Sequence, residues 1–395
     1  MVVLAVATQL VGGLESAAVT LLNPAFAAFT LVVIVALAAW RMAAVSEAFV
    51  WEGGLLTGRR PRVVLAVLLA GITLMHGVAG YYAWAFYDAG SRIFNGPDDS
   101  AVQPTPNPSS TPNASSTNET DVIPTPFETP RTVSDRVNIL LSGLDSGHDR
   151  KHSLSDTLLV VSIDPDARTV VMVSFPRDLS NFPMYYGGTY SGKINSLWTT
   201  VRNNPQRYPD GPVSTLGKEI GFLLGVPIHY TAAINLDGFE RMVNLVGGVD
   251  VVNPKRIDDP TYDWFDGTYG FFLASGKHHL DGRTALAFVR SRKGTGDSDF
   301  TRAARQQLLL VAVRNQVTDP KILAKLPAIL DAAARTIQTN FPPDRLREFL
   351  ELSKTIDDQT IQRVVLGPPY AWHPPTNSTG GTYTLQLHMD RLAEV

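Results

Sequence analysis

The stretch VNILLSGLDSGHDRKHSLSDTLLVVSIDPDARTVVMVSFP, residues 137–176, decides the fold. Its runs VNILLSG, TLLVVSID and TVVMVSFP are short, apolar and β-branched, the composition of buried strands. The last two are separated only by Pro165, Asp166, Ala167 and Arg168, which predicts a hairpin. Downstream, KINSLWTTVRN and TLGKEIGFLLG have helical spacing, HYTAAINL is strand-like, and GFERMVNLVGG ends in a glycine pair suited to a helix C-cap. VDVVN reads as another strand and is followed by a Tyr/Trp/Asp-rich loop. GRTALAFVR, TRAARQQLLLVAVRNQV, ILAKLPAILDAAARTI and DRLREFLELSKTI then read as helices, and IQRVVLG as a closing strand. Strands alternating with helices predict an α/β domain of mixed α+β type, a central mixed β-sheet flanked by helices, over residues 136–370. Residues 371–395 form a C-terminal extension in which WHPPTNSTGGTYT reads as an ordered loop or as a tail. No internal repeat is apparent.

Upstream, the composition changes twice. Residues 95–130 hold eight prolines among Ser, Thr and Asn, too few apolar groups to close a core, so 91–135 reads as an extended linker. Residues 1–90 read as a transmembrane anchor of two or three helices. AFAAFTLVVIVALAAWRMAAV (25–45) and VVLAVLLAGITLMHGVAGYYAWAFY (63–87) are each long enough to cross a hydrocarbon core of ~30 Å. A third span over residues 2–22 is weakened by Glu15 and by Gly12-Gly13. Arg41, Arg59, Arg60 and Arg62 between the two spans place that connection in the cytoplasm, and everything after Tyr87 outside. The expected location is therefore the cell membrane, multi-pass, with an extracytoplasmic domain.

The chain of 395 residues has 34 basic and 37 acidic residues and a net charge of −3, so no overall basic excess points to nucleic acid and any anion site must be local. It has no cysteine, which removes disulfides, Cys-ligated zinc and thiolate nucleophiles. There is no P-loop, no GxSxG elbow and no HExxH, so nucleotide and serine hydrolases and zincins lose support.

The basic site is VRSRKGTGDSDFTRAARQQ, residues 289–307. If RSR is extended, Arg290 and Arg292 project to one side, and Asp299, Arg302, Arg305 and Gln306 recur at helical offsets on the helix that follows. Guanidinium groups suit phosphate oxygens because they donate paired hydrogen bonds and stay charged; the bland alternative is a solvated helical face. Arg177 and Asp178, in PRD at a strand end, supply another phosphate fork or a local salt bridge. Asp145 and Asp156 flank the polar loop GHDRKHSL and are either turn-formers or a pair able to hold a hard divalent cation with phosphate oxygens. Lys193 and Asn195 precede a helix and serve either its start or a substrate.

Together, GLDS, SDT, FPRD, KIN, NLVGGVDV, LDGRTALAFVRSRK and DSDFTRAARQQ resemble, in order and spacing, the LytR-CpsA-Psr family of bacterial cell-wall proteins, over Val137 to Gly367. The resemblance implies a phosphotransferase that moves a glycopolymer from a polyprenyl-pyrophosphate carrier to a peptidoglycan hydroxyl, commonly the 6-hydroxyl of N-acetylmuramic acid. It implies Mg²⁺, with Mn²⁺ as the alternative, at Asp145 and Asp156. It implies pyrophosphate binding by Arg177, Arg290, Arg292, Arg302 and Gln306, and catalytic roles for Arg177, Asp178 and Asp299; Lys193, Asn195 and Arg305 are candidate substrate contacts from the residues alone. It also implies an apolar lipid pocket, which LLLVAVRNQV and FERMVNLVGG either line or merely adjoin as core. The sequence departs from the family pattern at Gly147, where arginine is usual, with His148, Arg150 and Lys151 following. A pyrophosphatase on the same carrier, or a non-enzymatic binder of prenyl phosphate or wall polymer, are the competing readings.

Overall fold

A computed structural model describes residues 18, 20–51, 58–94, 136–145, 154–264, 266–317, 326–375 and 382–394. The linker beyond Phe94, the loop with Gly147, His148, Arg150 and Lys151, nearly all of the weak third span and residues 376–381 lie outside them.

Two long helices come first, α1 (Pro24–Trp51) and α2 (Arg59–Phe94). The Asn23 carboxamide accepts from the Ala25 and Phe26 N–H groups at 3.0 and 3.3 Å and caps α1, with Pro24 fixing its first turn. At 28 and 36 residues, with mean hydropathies of 2.1 and 2.2, both are long and apolar enough to span a bilayer. Their apolar side chains are not spent on a core: Val32, Val35, Trp40, Val67 and Leu74 are all at least 65% exposed. Such outward apolar surface is what lipid, not water, accommodates, which supports membrane anchoring. Residues 326–334 and 342–349 group with these helices as one compact unit; residues 96–325, 335–341 and 350–395 form the other.

The second unit is built on a mixed six-stranded sheet. Strands β1 (Val137–Asp145), β2 (Leu154–Asp164) and β3 (Thr169–Phe175) run antiparallel in sequence, and Arg168 takes the left-handed conformation in the β2–β3 turn. A hairpin, β4 (Ser180–Pro183) with β5 (Thr189–Lys193), and helices α3 (Leu197–Asn203) and α4 (Gly211–Leu224) lead to β6 (Tyr230–Asn235), which pairs parallel with β1. Helix α5 (Leu236–Val246) is capped by the Asn235 side chain and ends at Gly247 with φ 91°, as its glycine pair predicts. Then come β7 (Val249–Asn253), the hairpin β8 (Ile257–Asp263) and β9 (Tyr269–Leu273), β10 (Gly276–Leu280), α6 (Gly282–Arg290), α7 (Asp299–Val317) and α8 (Leu326–Thr336). The chain closes with β11 (Ile337–Thr339), α9 (Leu346–Thr355), β12 (Ile361–Val365), and a short ladder of β13 (Ala371–Trp372) with β14 (Gln386–Leu387). The main sheet has the order β11-β6-β1-β2-β3-β12.

Alternating residues of the same strands enter two different cores, the pattern of a sheet covered on both faces. Leu158, Val160, Val173 and Phe175 pack with Leu197, Trp198, Leu216 and Ile220 of α3 and α4. Leu159, Val161, Val170 and Met172 pack with Val311 of α7 and Ile356. A third cluster joins Val243, Val249, Phe271, Phe288 and Leu309. Val243, Leu309 and Val311, in the runs considered for a lipid pocket, are thus packed core. Two local expectations change. The Tyr/Trp/Asp-rich loop is the β8–β9 hairpin, and the helix expected from Lys193 starts one residue later, as a 3-10 turn over Ile194–Ser196 that becomes α-helical at Leu197, because Lys193 still pairs with Ser180 across β4–β5.

Glu219 on α4 is fully buried; its Oε2 accepts from the Tyr185 N–H at 3.0 Å, and its Oε1 has no hydrogen-bond partner. Burial, opposed by that one bond, pushes the carboxyl up to about 7. The folded state therefore holds a proton that the unfolded chain releases near its ordinary value. The associated stability is fully present below that ordinary value and is lost as pH rises through 7, by at most about 3 kcal/mol. Denaturant titrations at pH 5 and pH 8 are expected to show this loss in the native chain and not in Glu219→Gln; equal pH dependence in both would refute it.

Candidate active site

The site lies where strand ends of the main sheet meet the turn between α6 and α7. Register places the first two carboxylates. Gly143 pairs with Thr157 and Leu144 with Ser155, so Asp156 is the extra residue of a bulge, and Asp145 sits one step further along β1. A bulge re-aims the side chain it carries. A side chain at residue 143 would strike Thr157 Oγ1 at 2.9 Å, so glycine is required for this approach.

The loop after β3 brings Arg177 and Asp178. Helix α6 starts at Asp281, whose carboxylate accepts from the Thr284 N–H at 2.7 Å, and its last residue is Arg290. The RSR segment is therefore not a strand: Arg290 closes a helix, and only Ser291, with ψ 136°, turns the chain out. Helix α7 begins with a reciprocal cap, Ser298 N–H to Thr301 Oγ1 at 2.8 Å and Thr301 N–H to Ser298 Oγ at 3.2 Å.

These elements enclose a cavity of about 170 Å³ lined by Asp145, Asp156, Thr157, Arg177, Leu236, Val289, Arg290, Arg292, Arg302 and Gln306. Every cavity residue singled out from the sequence as metal- or pyrophosphate-associated is among them. Four guanidinium groups face two carboxylates, a local excess of two positive charges in a chain whose net charge is −3. Arg177 Nη1 donates to Asp156 Oδ1 at 2.7 Å, and Arg290 Nη2 lies 3.7 Å from Asp145 Oδ2. Asp299 Oδ1 receives Arg302 at 3.2 Å and Arg292 at 3.3 Å, while its Oδ2 lies 3.8 Å from Arg177 Nε. Arg177 Nε and Arg302 Nε are buried without hydrogen-bond partners.

Electrostatics follow from this crowding. Burial lowers Arg177, and the Asp156 and Asp299 carboxylates outweigh it and hold the guanidinium above its ordinary value. Burial pulls Arg302 below its ordinary value against the opposing attraction of Asp299. Asp178 is 5% exposed; burial and its contact with the Asp299 carboxyl push it up, although Lys193 Nζ at 2.5 Å opposes them. Asp178 and Asp299 thus form a contacting carboxyl pair in which Asp178 is held above its ordinary value.

Three residues grouped with the substrate do not line the cavity. Lys193 pairs with Asp178, and the buried Asn195 gives its N–H to the Arg177 carbonyl at 3.3 Å. Arg305 is turned away from Gln306 by one residue's rotation. Its Nε donates to the Phe288 carbonyl at 2.8 Å, its Nη1 pairs with Asp297 at 2.8 Å, and its Nη2 donates to the Ser291 carbonyl. It braces the turn from within. Asp259, missed in the sequence among the acids of IDDPTYD, braces it from the other side. It is 2% exposed, and its Oδ2 accepts from Ser291 Oγ, Arg292 N and Lys293 N at 2.8, 3.3 and 3.2 Å.

Among the described residues no cluster of three or more His, Asp or Glu could hold a metal by itself. Asp145 and Asp156 alone fit a hard cation that takes one or two carboxylates and completes its shell with phosphate oxygens and water.

The family model described as the LytR_cpsA_psr family matches residues 106–394. The polyisoprenyl-teichoic acid-peptidoglycan teichoic acid transferase TagV of Bacillus subtilis (strain 168) is 31% identical over 270 residues, 64% of this chain and 64% of TagV. The corresponding transferase TagU of Bacillus cereus (strain AH820) is 33% identical over 265 residues, 65% of this chain and 80% of TagU. The matches span 62–65% of the length of the first three curated relatives, a little under two thirds. The crystal structure of B. subtilis TagV superimposes with a TM-score of 0.51 at 24% identity, over 67% of this chain and 96% of that one, a likeness of fold.

Proposed function

The chain belongs to the LytR_cpsA_psr family, and from that premise we propose that it moves a glycopolymer from a polyprenyl-pyrophosphate carrier to a peptidoglycan hydroxyl. The observation that carries this reading is the convergence of four arginines and two aspartates on one cavity, with Asp178 and Asp299 in contact beside it. The names of TagV and TagU as teichoic acid transferases support it.

Arg177, Arg290, Arg292, Arg302 and Gln306 bind and orient the pyrophosphate. The fixed guanidinium charges would neutralise the negative charge that grows on the bridging and leaving oxygens as phosphorus is attacked in line, and so stabilise the transition state more than the ground state. The acceptor oxygen forms the new P–O bond, the bond to the bridging oxygen breaks, and polyprenyl phosphate leaves. The acceptor's proton passes to the Asp178–Asp299 pair. Mg²⁺, or Mn²⁺ in its place, would be held by Asp145 and Asp156 and would supply further charge neutralisation at the phosphates. Helices α1 and α2 anchor the chain in the cell membrane; α2 continues to Phe94, past the boundary at residue 90 expected from the sequence, so the proline-rich stretch 95–135 is the tether, and 136–370, with the 371–395 extension, work outside the cytoplasm. Arg41 near the end of the first apolar span, with Arg59, Arg60 and Arg62 just before the second, supports that orientation.

Full-length protein in proteoliposomes, given a labelled polyprenyl-pyrophosphate sugar, Mg²⁺ and peptidoglycan, is expected to place label on the peptidoglycan. Release of free sugar phosphate alone makes the chain a pyrophosphatase, and bound, unchanged lipid makes it a binding protein; either outcome overturns the transferase reading.

A further inference from the structure

The arginine cavity accounts for the donor's pyrophosphate and leaves the acceptor without a seat. The C-terminal extension supplies one. Leu385 N–H donates to the Asp178 carbonyl at 2.9 Å, Ser180 N–H donates to the Leu385 carbonyl at 2.8 Å, and Leu179 and Leu385 form a parallel bridge. Both leucines are buried, so this segment is pinned along the loop that carries Arg177 and Asp178. The other side of the extension is fixed by the β13–β14 ladder, where Ala371 pairs with Leu387 and His388 N–H donates to the Tyr370 carbonyl at 2.8 Å.

Tyr383 lies two residues before the Leu385 anchor. Its ring packs on His373 with centroids 4.5 Å apart and an interplanar angle of 60°. Although the backbone nearby is pinned, the residue is 46% exposed. Burial and the carboxylates of Asp178 and Asp299 push the phenol above its ordinary value, so it remains a hydrogen-bond donor, within the field of the acid pair.

We propose that Tyr383, backed by His373, is the subsite for a pyranose ring of the acceptor glycan, holding it so that its hydroxyl meets the Asp178–Asp299 pair. An aromatic ring with one polar tip matches a pyranose, which offers a C–H face and a rim of hydroxyls. The side is decided by charge. Asp299 receives Arg292 and Arg302 on the cavity side, whereas Leu385, two residues from Tyr383, binds the backbone of Asp178 in the loop after β3. In-line displacement brings the nucleophile in opposite the leaving oxygen, so a pyrophosphate held by the arginines leaves the acid-pair side to the acceptor. The subsite rests on the transferase reading above.

Steady-state transfer by the full chain in proteoliposomes tests it, with soluble glycan-strand oligosaccharide as acceptor and both substrates varied. Tyr383→Ala is expected to raise the acceptor KM about ten-fold, equivalent to about 1.4 kcal/mol, and to leave the donor KM unchanged. Tyr383→Phe, which keeps the ring and its packing, is expected to give a smaller rise and decides the matter should the alanine variant fold poorly. An unchanged acceptor KM in both variants overturns the subsite, as does a rise in donor KM alone, which would assign the ring to the donor sugar. A native chain that transfers no sugar overturns the transferase reading itself, and the subsite with it.

Discussion

Arg290→Ala is expected to lower transfer by about 10²- to 10³-fold, the range for removing one preorganised donor from a developing oxyanion, while the protein stays folded. Arg290 lines the cavity, faces Asp145 at 3.7 Å, and its side chain is 21% exposed. As the last residue of α6 it also sits favourably at the negative end of the helix, an interaction of about 0.3–1 kcal/mol, so a thermal melt should move by only a few degrees. The loss should fall chiefly on kcat, because charge on the bridging oxygen grows only as its bond to phosphorus breaks. Arg283 on the same helix is the control. It lies over the Trp264 ring and pairs with Asp266, away from the cavity, so Arg283→Ala should turn over normally. Normal turnover by Arg290→Ala would remove the basis for reading the cavity as a pyrophosphate site.

How far such a site can be read from sequence depends on which physical signal carries each residue. The strands β1 to β3 were legible because continuous β-branched runs have few homes other than a covered sheet, and both faces are indeed covered. The cavity arginines were legible as types and spacings. Their exact aim was not, because one residue of helix rotates a side chain by about 100°. That rotation puts Gln306 in the cavity and Arg305 in the brace behind it. The β8–β9 hairpin was hidden because Pro260 and Gly270 interrupt its alternation, and its partners are set by tertiary register with a shift between Asp259 and Asp263. Tyr383 carried no local signal at all: its place follows from Leu385 pairing with Leu179, more than two hundred residues earlier in the chain.

Asp259→Ala should be the most damaging substitution outside the cavity, and for a reason that separates positioning from contact. The carboxylate gathers Ser291 Oγ and the N–H groups of Arg292 and Lys293 on one oxygen, and Thr261 N–H and Oγ on the other at 3.2 and 3.0 Å. Burial alone would raise this acid; the bonds from Ser291, Lys293 and Thr261 outweigh it and hold it below the usual carboxylate range. A depressed folded value means stability that is present above the ordinary value and lost as pH falls through the folded one, so the brace weakens only in acid. Alanine leaves buried donors unpaired and should cost about 3 kcal/mol. Asp259→Asn keeps an accepting oxygen but turns a donor toward the donors of the turn, so it should fold and still misplace Arg292. Its signature is weaker binding of the donor lipid at neutral pH, together with loss of the native chain's acid-side fall in stability. A simple loss of fold would instead lower the amount of active protein at unchanged KM. If Asp259→Asn binds donor and transfers like the native chain, the turn is held by Arg305 alone, through its bonds to Phe288, Asp297 and Ser291.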